Sequence, residues 1–160
     1  RTSDGKDRLF PRTLVQLLAA AAEHQAALEL SPDRVLRSAA VITGYNKASA
    51  ARVEDLRKEY VTLAIYLDAL KGRKPTGTET EILTHLRKHL RSAPSAKQKA
   101  KGAPAGALHA GAGGWHKVID RLLEVGVLRE YKRAKGDGGE KKYEIALLYR
   151  PGLGIKSFGI

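Results

Sequence analysis

Apolar residues recur along this chain at helical spacing in most segments and at strand spacing near its C-terminal end. Trp115, Val118, Ile119, Leu122 and Leu123 fall at i, i+3, i+4, i+7 and i+8, which places them on one helical face. His116, Lys117, Asp120, Arg121 and Glu124 fill the opposite face. Gly126 follows the last turn, where a left-handed residue closes a helix at no steric cost. Val127, Leu128 and Tyr131 then predict a short strand. Residues 136–139 contain Asp-Gly, a hairpin-turn signal. Beyond them Tyr143, Ile145 and Leu147 alternate with Lys142, Glu144 and Ala146, the period-two pattern of a half-buried strand.

Upstream, the pattern is helical. Residues 9–28 predict a helix with Pro11 in its first turn and Leu14, Leu17, Leu18 and Ala21 on one face. Ser31-Pro32-Asp33 supplies a second start signal. That helix, lined by Val35, Ala39 and Ile42, is expected to end near Gly44. A third helix over 46–60 turns Val53, Leu56 and Tyr60 inward. A fourth over 61–71 uses Leu63, Tyr66, Leu67 and Leu70. Residues 72–77, with Pro75, read as a break. A fifth helix over about 78–91 aligns Ile82, Leu83, Leu86 and Leu90, and Thr78 and Glu81 have capping-box spacing. Residues 92–114 are rich in Ala, Gly, Ser, Pro and Lys and contain no acid. They read as a mobile basic loop, with 103–109 as the best candidate for a short helix. The expected fold is mostly α: an N-terminal helical domain (1–74), a helical bundle, then a winged helix-turn-helix (75–160) with a small β-hairpin wing. In it the 78–91 helix comes first and the helix from Trp115 is the recognition helix.

The 160 residues suffice for one good core or two small domains. No apolar run approaches membrane-spanning length, and no signal-peptide pattern opens the chain. Cysteine is absent, which excludes disulfides, thiolate catalysis and cysteine-held metal. These features fit a cytoplasmic protein. Methionine is also absent and the chain opens on Arg1, as expected of an excised or processed part of a longer protein. Residues 1–8 read as a loop from an upstream domain. The abundance of Ala, Arg, Gly and Leu fits a GC-rich bacterial genome.

The net charge is +12, and it is uneven. Residues 1–78 hold 13 Lys and Arg against 9 Asp and Glu, whereas residues 79–160 hold 16 against 8. A basic domain attracts polyanions. In a winged helix the recognition helix enters the major groove and the wing meets the DNA backbone. The candidate nucleic-acid contacts are therefore His116, Lys117 and Arg121 on the helix. The wing adds Lys132, Arg133, Lys135, Lys141 and Lys142, and the loop adds Lys97, Lys99 and Lys101. Arg121 has the chemistry to read a guanine edge, but Asp120 and Glu124 on the same face oppose an approaching phosphate. Salt-sensitive binding to duplex DNA with little specificity is the expectation. Trp115 reads as core rather than as a stacking platform, and Tyr131 and Tyr143 as strand packing.

Other chemistry finds little support. His85 and His89 have the i, i+4 spacing of metal ligands, yet Leu86, Arg87 and Lys88 lie between them and no acid completes a motif. They read as a basic helix face, with no metal and no cofactor. Residues 111–114 precede a helix without a strand or a phosphate-binding lysine, so they read as a turn near a DNA backbone. No catalytic constellation is present, and this chain alone is not expected to be an enzyme.

Three segments resemble the C-terminal region of prokaryotic P-loop ATPases of the AAA+/STAND kind. They are Phe10-Pro11-Arg12-Thr13-Leu14-Val15-Gln16-Leu17-Leu18, the stretch Arg52-Val53-Glu54-Asp55-Leu56-Arg57-Lys58-Glu59-Tyr60, and the hairpin with its tail through Leu148-Tyr149-Arg150-Pro151-Gly152-Leu153-Gly154-Ile155. In that family a helical lid follows the nucleotide-binding core, and a winged helix often follows the lid. The resemblance implies that Arg12 is a nucleotide-sensing arginine, although Thr13 stands where the family often has an acid. No GxxxxGK[ST] loop is present, so any ATPase core would be upstream. Two functions follow as expectations: a nucleic-acid-binding domain serving an ATPase or regulator, or a protein-interaction or autoinhibitory module docking on its own ATPase core or a partner protein.

Overall fold

The computed structural model describes residues 4–8, 10–28, 36–92, 108–110, 114–131 and 141–155. The described chain is mostly helical. Helices α1 (Pro11–Ala27) and α2 (Ser38–Glu59) come first. A 3-10 turn (Val61–Leu63) leads into α3 (Ala64–Ala69). Strand β1 (Thr76–Thr78) runs directly into α4 (Glu79–Ser92). A second 3-10 turn (Leu108–Ala110) precedes α5 (Gly114–Glu124). Strands β2 (Leu128–Tyr131) and β3 (Lys142–Ile145) follow, then two 3-10 turns, Leu147–Tyr149 and Pro151–Leu153. The sheet is antiparallel in the order β1-β3-β2. Tyr143 at its centre faces Gly77 on one side and Glu130 on the other. No described helix is long and apolar enough to cross a membrane.

Helix α2 corrects the expectation of two helices parting near Gly44, because it runs unbroken through that glycine. Thr13, Leu17, Ala21 and Gln25 are the buried stripe of α1, and Ala40, Gly44 and Ala48 are the small residues opposite. A Cβ at position 44 would overlap the Leu17 carbonyl oxygen and lie 2.9 Å from the Ala21 amide nitrogen. A mid-helix glycine costs roughly 0.5–1 kcal/mol against alanine. Here it is the residue that lets the two backbones meet. The α1 stripe is thus rotated from the expected one: Leu14 and Leu18 are 46% and 47% exposed. On α2, Ile42 also faces outward.

The other end of α2 belongs to the main core. Val53 and Leu56 join Leu63, Tyr66, Leu67 and Leu70, then Ile82 and Leu86 of α4, Val118, Ile119 and Leu122 of α5, and Tyr143, Ile145, Leu148, Tyr149, Leu153 and Ile155 in one buried cluster. It draws on residues from both sides of position 74. Ser49 fixes α2 to the C-terminal turns: its hydroxyl donates to the Leu148 carbonyl at 2.5 Å and accepts the Gly152 N–H at 2.9 Å.

Two local signals act as read. The Thr78 N–H donates to Glu81 Oε2 at 2.9 Å and the Glu81 N–H to Thr78 Oγ at 3.3 Å, a capping box starting α4. Gly126 has φ +81°. Its N–H donates to Leu123 and the Val127 N–H to Leu122, the paired bonds of a Schellman stop. Two expectations are corrected. The end of the 72–77 break is the start of β1, which runs on to Thr78, and Tyr131 is exposed rather than packed. The expected helix start at Ser31-Pro32-Asp33 and the hairpin tip at 136–139 lie outside the described residues. So does the candidate helix at 103–109, apart from the turn beginning at Leu108.

Residues 4–8 pack against the α5–β2 corner. The Gly5 N–H donates to the Gly126 carbonyl at 2.7 Å, and Arg8 donates to the Val125 carbonyl at 3.0 Å. Buried Asp4 accepts the Lys6 and Arg8 N–H groups, each at 2.9 Å, and the Arg8 Nε–H at 2.8 Å.

Gly44→Ala is expected to destabilise the protein by about 1–3 kcal/mol, despite the roughly 1 kcal/mol that alanine adds in helix propensity. Urea denaturation measures it. An unchanged or raised midpoint would mean that the two backbones are not in close contact.

Candidate nucleic-acid interface

The sheet register assembles one end of the molecule. Lys142 opens β3 and lies opposite both Tyr131 and Thr78. Glu79, next after Thr78, pairs with His116 in the first turn of α5, Nδ1 to Oε1 at 2.5 Å. The open end of the hairpin and the start of α5 are therefore neighbours, with a carboxylate between them. Lys141 and Lys117 are exposed here, and neither has an ion pair among the described residues.

Arg121 is placed differently from Lys117. It donates to Glu124 Oε2 at 2.5 Å, and its guanidinium lies 5.1 Å from the Tyr60 ring centroid. The hydrogen bond from Arg121 is the leading cause that lowers the Glu124 pKa, and the same bond raises that of Arg121. Of the three α5 candidates, Arg121 is thus already held by a carboxylate, and His116 lies against one that it pairs with as an imidazolium. Burial pushes the Tyr143 hydroxyl pKa up, and the nearby Glu79, Glu130 and Asp120 push it further. These acids mark the surface beside α5 as mixed in charge. Lys97, Lys99, Lys101, Lys132, Arg133 and Lys135 lie outside the described residues. Arg12 is exposed in the first turn of α1 and makes no hydrogen bond or ion pair among the described residues.

A cluster that the sequence did not reveal lies behind α5. Tyr66 of α3 is fully buried. Its oxygen accepts the His109 backbone N–H at 3.2 Å and lies 2.6 Å from His109 Nδ1. The Tyr66 hydroxyl thus joins two atoms of His109, its backbone N–H and its ring Nδ1. The His109 ring stacks on Trp115, with centroids 4.4 Å apart and planes 12° from parallel. Tyr66 meets both rings edge-on. Arg87 of α4 lies over Trp115 at 5.2 Å. Trp115 is half-buried against the core. The sequence marks Tyr66 and Trp115 as facing the core, but their meeting with His109 depends on three separate elements.

His85 and His89 do approach, with ring centroids 4.3 Å apart. His85 is committed, its Nε2–H donating to the Ala69 carbonyl at 2.9 Å. Among the described residues no group of three His, Cys, Asp or Glu converges as metal ligands would. Burial lowers the His85 pKa, reinforced by His89, Arg73 and Lys88, and burial alone lowers that of His109.

No protein-family model matches this sequence, and neither a curated protein nor a solved structure matches it.

The two lowered histidines set a pH dependence. Both bind protons less readily in the folded chain than the ordinary imidazole value of 6.5, so the unfolded chain takes up protons first on acidification. Their stabilising contribution is complete above that value and is lost as pH falls through it toward the folded pKa. Urea midpoints are expected to drop between about pH 7.5 and pH 5.5, and more shallowly in His85→Gln/His109→Gln. Trp115, the only tryptophan, reports unfolding. Identical slopes for the two proteins would show that these histidines carry none of the effect.

Proposed function

We propose that this chain is a winged-helix nucleic-acid-binding domain with a helical companion, engaging duplex DNA mainly through its phosphates. The order of elements carries this reading: α3, β1, α4, α5, then the β2–β3 hairpin, in a sheet ordered β1-β3-β2. That succession supplies three helices, a short strand after the first, and a hairpin directly after the third, where a winged helix needs its wing. In this reading α3 is the first helix and α4 the second. The 92–114 segment then need not supply a helix, and α5 takes the recognition position.

Charge supports phosphate contact more than base reading. Lys117 and Lys141 are exposed at the shared end, and the sequence adds Lys132, Arg133 and Lys135 between β2 and β3 and Lys97, Lys99 and Lys101 before α5. His116 and Arg121 are occupied by Glu79 and Glu124, which favours low sequence specificity. The resemblance to ATPase lids makes an upstream P-loop core the natural companion, with exposed Arg12 as its nucleotide-sensing residue. Binding, not catalysis, is the role assigned to this chain, in a cytoplasmic setting.

A second reading, docking on an ATPase core or partner protein, draws on a different observation. Leu14, Val15 and Leu18 on α1 and Val41 and Ile42 on α2 are exposed, and exposed apolar surface of this kind is a candidate interaction site.

Fluorescence anisotropy of labelled duplexes across about 50–200 mM salt separates the readings. Micromolar binding that weakens steeply with salt, and weakens further in Lys117→Glu and Lys141→Glu, is the expected result. No binding at low salt would exclude the DNA reading and leave the docking one. In that case Leu14→Asp/Leu18→Asp should abolish partner capture.

A further inference from the structure

We infer that Arg87 is a pre-positioned phosphate contact, so that α4, and not only α5 and the wing, anchors the nucleic acid. This inference rests on the DNA reading above.

Charge along α4 is segregated. Its acids, Glu79 and Glu81, occupy the first turn, and from Ile82 onward its charged residues are basic. Arg87 and Lys88 are adjacent and exposed. What sets Arg87 apart from an ordinary surface arginine is the stack beneath it. Its guanidinium lies 5.2 Å from the Trp115 ring centroid. Trp115 is stacked on His109 at 4.4 Å, and His109 is held by two contacts to buried Tyr66. The last support in the series therefore sits in the core.

A guanidinium that stacks on an aromatic ring uses its π face there and leaves its in-plane N–H donors for an acceptor. Arg87 makes no ion pair or hydrogen bond among the described residues. Arg121 also lies over a ring, that of Tyr60, but its donors are directed to Glu124. The same side chain thus appears twice beside α5, once neutralised and once open. An open guanidinium with restricted freedom loses little entropy on binding, and its fork geometry suits two phosphate oxygens.

The test is duplex DNA binding over the same salt series with wild type, Arg87→Gln, Arg87→Lys and Lys88→Gln. Arg87→Gln is expected to weaken binding about tenfold and to reduce the slope of log K against log salt by about one. Arg87→Lys should restore the slope but only part of the affinity, because lysine keeps the charge and loses the planar fork. Lys88→Gln, lacking a stacked support, should weaken binding less. Circular dichroism and Trp115 emission check that each variant is folded. A folded Arg87→Gln that matches wild type in affinity and slope, while Lys117→Glu and Lys141→Glu weaken binding, would overturn the Arg87 assignment alone. Equal losses in Arg87→Gln and Lys88→Gln would overturn the stacked-anchor argument. A wild type that does not bind DNA would overturn both readings.

Discussion

Helix α2 gives the other elements their positions because it presents small residues to two different partners. Along its first half, Ala40, Gly44 and Ala48 let α1 approach until the backbone of Gly44 meets that of Leu17 and Ala21. Directly after Ala48, Ser49 ties it to Leu148 and Gly152, 99 and 103 residues away in sequence. A Cβ on Gly152 would press on the Ser49 carbonyl at 2.6 Å, so this contact is also backbone to backbone. Neither approach tolerates a larger residue. By closing the chain on itself, α2 fixes where the C-terminal turns lie, and they in turn cover the core beneath α3 and α5.

A second closure acts on the helix proposed to face DNA. The end of α5 is stopped by Gly126, and residues 4–8 then close over that stop. Asp4 takes the space beside Gly126 that a side chain would occupy, and Arg8 bonds the Val125 carbonyl exposed by the helix end. A helix terminus leaves its last carbonyls without partners. Here part of that need is met by a segment more than a hundred residues upstream. The start of α5 is held by the His109–Trp115 stack. Both ends of the helix are thus anchored, which suits a surface that must present charges in fixed positions.

What could be read from sequence divides along the range of the interaction. The capping box at Thr78 and Glu81, the stop at Gly126 and the apolar face of α5 depend on residues within one or two turns, and the sequence contains all of them. Gly44 was misread because a glycine that ends a helix and one that permits close packing look alike until the neighbouring helix is known. Strand β1 has three residues and no alternation long enough to detect; it exists because β3, 66 residues downstream at the Gly77–Tyr143 pair, offers an edge. The outward turn of Leu14 and Leu18 has the same origin, since the choice of stripe on α1 was made by the small residues of α2. The spacing of Leu63, Tyr66, Leu67 and Leu70 marks Tyr66 as buried, but nothing in it points to His109.

The same distinction applies to charge. Residues 79–160 carry an excess of cations, but a count of lysines and arginines is not a measure of what a polyanion meets. Arg129 and Arg150 both bind Glu144, at 2.6 and 2.8 Å, and Arg150 also donates to the Ile145 carbonyl. Glu144 is largely buried, so these two arginines offset the cost of a carboxylate in the sheet and are poorly placed to serve DNA. Arg121 and His116 are likewise engaged. The positive field that steers a polyanion includes every charge, whereas the contacts that hold it need open donors. Arg87, Lys88, Lys117 and Lys141 are exposed cations without ion pairs among the described residues, on α4, on α5 and just before β3. Under the proposed function, a surface built this way would follow a phosphate backbone more readily than it would distinguish one base pair from another.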